Sequence, residues 1–205
     1  GRSTVPLRFW LACLIVLVAA AIVRLGALTD LPRGLHVDEG FHLLQAQAIA
    51  DGRSLPVFIT GNYGNEPGFA YLTALAIRLI GPQAWAGRLA AASAGLLTIA
   101  LVIRTALELF PARRALAVAA GAALAGLYWH VHFSRYGSQP ILAPLTACAV
   151  VAALAHSWRT GSRRAAVVAG LALGASLYGY VVMRLFPFAV VAFAACYAIG
   201  RRDLW

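Results

Sequence analysis

The most chemically loaded stretch of the 205-residue sequence is Leu35-His36-Val37-Asp38-Glu39-Gly40-Phe41-His42. Two adjacent carboxylates repel one another, which tends to raise the pKa of one. Beside a low-dielectric boundary such a group can act as general base toward an incoming hydroxyl or amine. The same residues also read as a helix N-terminus, where acidic side chains meet the positive end of the dipole. As ligand types, His36, Asp38, Glu39 and His42 suit a divalent metal, although their spacing matches no standard helix-face site. The base and helix-cap readings require no cofactor, and a divalent metal is the cofactor that the third would take. Asn65-Glu66-Pro67 adds a further carboxylate, or forms a turn ahead of a helix.

Two cationic motifs follow. Trp129-His130-Val131-His132-Phe133-Ser134-Arg135-Tyr136 and Tyr178-Gly179-Tyr180-Val181-Val182-Met183-Arg184 each set an arginine beside aromatic residues. A fixed guanidinium suits a phosphate or pyrophosphate group. The other reading is an interfacial aromatic belt with a snorkelling arginine.

The elements that must position these residues are hydrophobic. Apolar residues make up 61% of the sequence and charged residues 12%, about half the charged share of a soluble domain. Six stretches are apolar enough to span a bilayer: approximately 9–28, 89–107, 115–133, 140–158, 165–182 and 185–199. The net charge of +10 comes from arginine alone, without lysine. Those arginines punctuate the apolar runs instead of forming a stripe, which argues against nucleic acid as a partner. Arg2 and Arg8, Arg113 and Arg114, Arg159 with Arg163 and Arg164, and Arg201 and Arg202 are each separated from the next cluster by two apolar stretches. Six spans with every cluster cytoplasmic satisfy the positive-inside rule. Residues 29–88 then form a long extracytoplasmic loop holding Asp30, Asp38, Glu39, Asp51 and Glu66. It contains two short juxtamembrane helices, near 41–50 and 67–81. Gly61-Asn62-Tyr63-Gly64-Asn65 is turn chemistry and not a phosphate-binding loop, since no Gly-Lys-Ser/Thr follows. Cys13, Cys148 and Cys196 lie inside apolar runs and read as small buried hydrophobes. The expected fold is an all-α, polytopic helical bundle in a cell membrane.

Taken in order, these motifs resemble the GT-C class of integral-membrane glycosyltransferases, in the protein mannosyltransferase and aminoarabinose transferase branch (glycosyltransferase family 39-like). The resemblance rests on Val37-Asp38-Glu39-Gly40 opening the first loop and on Asn65-Glu66-Pro67-Gly68-Phe69-Ala70-Tyr71 leading into an aromatic helix. Glu66 stands there in place of a usual first proline. Arg88-Leu89, Phe133-Ser134-Arg135 and Arg184-Leu185-Phe186-Pro187 complete it. The resemblance implies transfer of a sugar from a polyprenyl-phosphate donor to an acceptor, with inversion, on the extracytoplasmic side. It implies Asp38 as base, with Glu39 orienting it or the acceptor. Arg135, with Arg88 and Arg184, would neutralise the lipid phosphate, and Glu66 and Tyr71 would line the substrate site.

Members of that branch carry about twice as many spans. Residues 1–205 are therefore expected to be one transmembrane domain from the N-terminal part of a longer enzyme. The competing reading is a non-catalytic membrane subunit or transporter with an acidic, cation-binding loop. Acidic residues inside the spans would favour transport, and the six stretches have none in their interiors.

Overall fold

The computed structural model describes residues 6–200. Among these, nine α-helices follow one another: α1 (Leu7–Leu25), α2 (Val37–Ala50), α3 (Gly68–Ile80), α4 (Ala86–Leu109), α5 (Arg114–Gly126), α6 (Tyr128–Arg135), α7 (Leu142–Thr160), α8 (Arg163–Ser176) and α9 (Phe186–Gly200). Short 3₁₀ turns at Gln139–Ile141 and Val181–Leu185 lead into α7 and α9. The two short helices expected inside residues 29–88 are present as α2 and α3, the first starting four residues earlier than the pattern suggested.

The helix α4 is the axis of the molecule: α1, α3, α5, α6 and α7 all pack against it. Its inward face is built from small residues. Ala90, Ala91 and Ala94 are buried, and with Phe69, Ala70 and Ala74 of α3 and Ala46 of α2 they form one core. Small side chains let helix backbones approach closely, which is how apolar helices gain contact where lipid offers no hydrophobic driving force. Gly95 shows how close that approach is, since a Cβ there would stand 2.2 Å from the Ser134 hydroxyl of α6. A second core joins Phe9, Cys13 and Ala20 of α1 to Ile99 and Ile103 of α4 and Ala117 of α5. Of the cysteines, Cys13 is buried and Cys148 partly so, while Cys196 is exposed on α9, outside the buried reading of all three.

Among the described residues three helical stretches are long and apolar enough to cross a membrane: α1, α4 and the segment Gln139–Thr160. A fourth is obtained if α5 and α6, bent by 61°, are taken as one span. The stretch 165–182 looked continuous because its apolar residues run on, but α8 ends at Ser176 and Leu177–Gly179 turns the chain. Among the described residues α8 has 14 residues and α9 has 15, against the ~17 that a span ordinarily needs, so the count of six spans is not confirmed.

The break between α5 and α6 contains no proline. A side chain of α1 reaches into it. Arg24 is completely buried, and its guanidinium donates to the carbonyls of Ala125 (3.0 Å) and Leu124 (3.5 Å) at the end of α5. It also reaches the Ala20 carbonyl, the Ser134 hydroxyl (3.2 Å) and His130 Nδ1 (2.9 Å). A side chain that captures ladder carbonyls is a recognised origin of a sharp bend. Every described partner of this cation is neutral. Its charge is solvated by carbonyl dipoles, a hydroxyl and an imidazole instead of a carboxylate.

Candidate active site at the α2 end of the bundle

The helix α2 starts with a reciprocal cap. His36 accepts the Asp38 backbone N–H on its ring, while the Glu39 carboxylate accepts the His36 backbone N–H (3.1 Å). Such a cap satisfies two orphan donors of the first turn. Asp38 and Glu39 are then about 100° apart around the helix, and packing treats them oppositely. Glu39 faces α4 and is 5% exposed. Its two oxygens take Arg88 Nε at 2.8 Å and Arg88 Nη2 at 3.1 Å, and the Gly137 backbone N–H at 3.1 Å. Burial alone would raise its pKa. The hydrogen bond from Arg88, the two backbone N–H groups and the Arg88 charge outweigh this and hold it below the ordinary glutamate value. Gly137 has to be small here, because a Cβ would press on the Gly87 backbone at 3.1 Å and on the Glu39 carboxylate at 3.3 Å.

Arg88 is shared further. It donates to the Pro32 carbonyl (2.8 Å) and to that of Gly34. One ion pair therefore fastens α2, α4, the turn after α1 and the segment after α6.

Asp38 faces outward, with its side chain 44% exposed. Asn62 donates to one carboxylate oxygen at 3.2 Å, and His36 Nδ1 stands 3.7 Å from the other. The Tyr136 hydroxyl meets the same His36 nitrogen at 2.5 Å. Burial, the charges of Asp38 and Glu39 and a hydrogen bond with Asp38 push the Tyr136 phenol up to about 12. It stays protonated near neutrality and is a standing donor beside the carboxylate. The group is thus a carboxylate open to solvent on one side, with an amide, an imidazole and a phenol around it.

The other expected residues have separate partners at this end. Arg135 donates to the carbonyls of Val23, Arg24, Gly26, Ala27 and Leu31, closing the C-terminal end of α1. Glu66 is buried and holds Arg184 at 2.7 Å; the Arg184 side chain is 55% exposed and lies over the Phe58 ring. Tyr71 ties α3 to the Pro56 carbonyl at 3.1 Å. The Gly68 N–H donates to the Tyr178 carbonyl, so Glu66 and Arg184 are brought together through backbone as well as charge.

The metal set drawn from His36, Asp38 and His42 is not assembled. His42 falls on the buried face of α2, edge-on to Phe69. Burial lowers its pKa, with the Asp38 charge opposing. Among the described residues no three His, Cys, Asp or Glu side chains form a metal-binding group.

A cavity of about 330 Å³ opens beside Arg88, with Gly34, Leu35, Ala84 and Trp85 in its wall. The larger hollows lie at the other end of the bundle, around Arg8, Arg113 and Arg114. Sequence reasoning did not single out Tyr136, Asn62 or Trp85. Tyr136 adjoins Arg135 in a motif already noted, but the reach of Asn62 to Asp38 crosses 24 positions and has no local signature.

A family model described as dolichyl-phosphate-mannose-protein mannosyltransferase matches residues 65–205. The matched stretch begins after Asp38 and Glu39 and takes in Glu66, Arg88, Arg135 and Arg184. No curated protein and no solved structure matches the chain.

Proposed function

The chain belongs to the dolichyl-phosphate-mannose-protein mannosyltransferase family, and from that premise we propose a sugar transfer centred on Asp38. It is a membrane glycosyltransferase of the GT-C type. The donor we assign is a polyprenyl-phosphate-linked sugar, used on the extracytoplasmic side of a multi-pass bundle. The observation that carries Asp38 as base is the contrast with its neighbour. Glu39 is locked in a buried contact with Arg88, whereas Asp38 is open and held only at its flanks.

In this reading an acceptor hydroxyl approaches the exposed oxygen of Asp38. Its oxygen attacks the anomeric carbon as its proton passes to Asp38. The bond from that carbon to the phosphate oxygen breaks, and the electron pair leaves with the polyprenyl phosphate. Attack opposite to the leaving group inverts the anomeric centre. Tyr136 and Asn62 orient the carboxylate. Arg184 is the guanidinium most available to the departing phosphate, because its half-exposed side chain is held by a single carboxylate. Fixed positive charge at that point is worth several kcal/mol in related chemistries. The cavity beside Arg88, with Trp85 in its wall, offers a face for a sugar ring.

The deciding experiment is Asp38→Asn. Asparagine caps a helix about as well as aspartate, so the fold should persist, while transfer from a polyprenyl-phosphate sugar should fall by about 10²–10⁴-fold. Near-wild-type transfer would remove Asp38 from the reaction. Transfer from a nucleotide sugar without lipid would remove the donor.

A further inference from the structure

The end of α4 remote from Asp38 carries a second cluster, which the transfer reaction does not use. The Glu108 side chain is 2% exposed. One of its oxygens takes Arg159 Nε (2.9 Å) and Nη2 (2.6 Å); the other takes His156 (3.1 Å) and Arg104. A single buried carboxylate thus gathers two guanidinium groups and an imidazole at one point. The side chains of Arg104 and Arg159 remain 54% and 45% exposed. Arg113 and Arg114 precede and open α5 at this end, and Arg163 and Arg164 open α8. The C-terminal dipoles of α4 and α7, roughly half a negative unit each, are opposed by the N-terminal dipoles of α5 and α8 at the same end, and the arginines leave it basic.

An apolar cavity of about 310 Å³ adjoins the cluster, between α7 and α9. Leu109, next to Glu108, lies in its wall with Val151, Ala155, Trp158, Phe186 and Phe193. Ala155 and Trp158 flank His156 and Arg159 on α7, so one helix leads from the groove to the cations. Arg88 and Glu108 are twenty positions apart on α4, about 30 Å at ~1.5 Å per residue, which is the thickness of a hydrocarbon core. With Arg88 at one surface, the Glu108 cluster falls at headgroup level on the other and the groove falls among acyl chains.

We propose that this is a binding site for an anionic phospholipid, with its phosphate on Arg104 and Arg159 and an acyl chain in the groove. A soluble anion has no use for the groove, and an apolar helix has no use for the arginines. A phospholipid matches both. The site is independent of the transfer assigned to Asp38.

The test uses the purified chain in neutral lipid, with native mass spectrometry of the lipids it retains. Phosphatidylglycerol and phosphatidylcholine of identical chains are offered in competition. Wild type should retain phosphatidylglycerol roughly ten- to thirtyfold over phosphatidylcholine. The triple variant R104Q/E108Q/R159Q removes the charges without leaving a buried carboxylate alone and should lose that preference. Val151→Trp, which fills the groove and keeps the charges, should lose the retained lipid and decides the matter if the triple variant does not fold. Equal retention of the two lipids by wild type would overturn the proposal. So would a preference that survives in the triple variant, or lipid retention unchanged in Val151→Trp, the outcome expected if another helix covers the groove.

Discussion

Glu39 and Arg88 meet through two hydrogen bonds, 2.8 and 3.1 Å, although they are 49 positions apart, and both side chains are 4% exposed. Removing one member of a buried ion pair strands the other, which typically costs about 3–5 kcal/mol. Arg88→Ala and Glu39→Ala should therefore both lower the thermal midpoint sharply, whereas Asp38→Asn should leave it nearly unchanged. Melting curves in one detergent compare the three. A stable Arg88→Ala protein would show that the pair does not fasten this end of the bundle.

The same carboxylate sets an acid limit. The folded pKa of Glu39 lies below its ordinary value. Its stabilising contribution is thus fully present above the unfolded glutamate pKa of ~4.3 and is lost as pH falls through the lower, folded value. Stability should decline below about pH 4.3, and Glu39→Gln should flatten that decline while lowering stability at neutral pH. A Glu39→Gln protein with an unchanged acid limb would assign the limb to other groups.

Arg24 should matter for shape more than for charge balance. It holds the end of α5 and the side chains of α6 at once. Arg24→Met should free those carbonyls and loosen α6, which carries Arg135 and is followed by Tyr136. Spin labels on α4 and α6 should report a broader distance distribution, and Arg24→Lys should recover it only in part, because an ammonium cannot copy the forked geometry. An unchanged distribution in Arg24→Met would mean that the 61° bend is held by packing alone.

Orientation can be read by labelling. Tyr63, in the turn between α2 and α3, and Ala112, between α4 and α5, are both exposed. In a cysteine-free background, Tyr63→Cys should react with an impermeant maleimide added to intact cells, and Ala112→Cys should react only after permeabilisation. The reverse pattern would place the Asp38 end inside.

Much of this was legible from residue type and order. Long apolar runs with sparse arginine dictate helices compatible with a membrane, because in lipid a backbone must satisfy its own hydrogen bonds. The gathering of acidic residues between positions 29 and 88, the helices α2 and α3, and the order of the motifs around Asp38, Glu66, Arg88, Arg135 and Arg184 are likewise one-dimensional facts. Which of two neighbouring carboxylates stays open was not legible. Asp38 and Glu39 differ by one step of helix rotation, so only the packing of α2 on α4 could bury one and expose the other. Hydropathy also read through two interruptions. The bend at Leu127 is met by an arginine a hundred positions before Leu124, and the turn after Ser176 keeps an apolar composition. The partners of Arg135 are backbone carbonyls of α1 and of the turn after it, groups that every residue carries and that no side-chain pattern reveals. Composition and order determined the kind of protein and where its charged groups concentrate. Tertiary contacts, which join groups remote in sequence, decided which of those groups are neutralised and which face solvent.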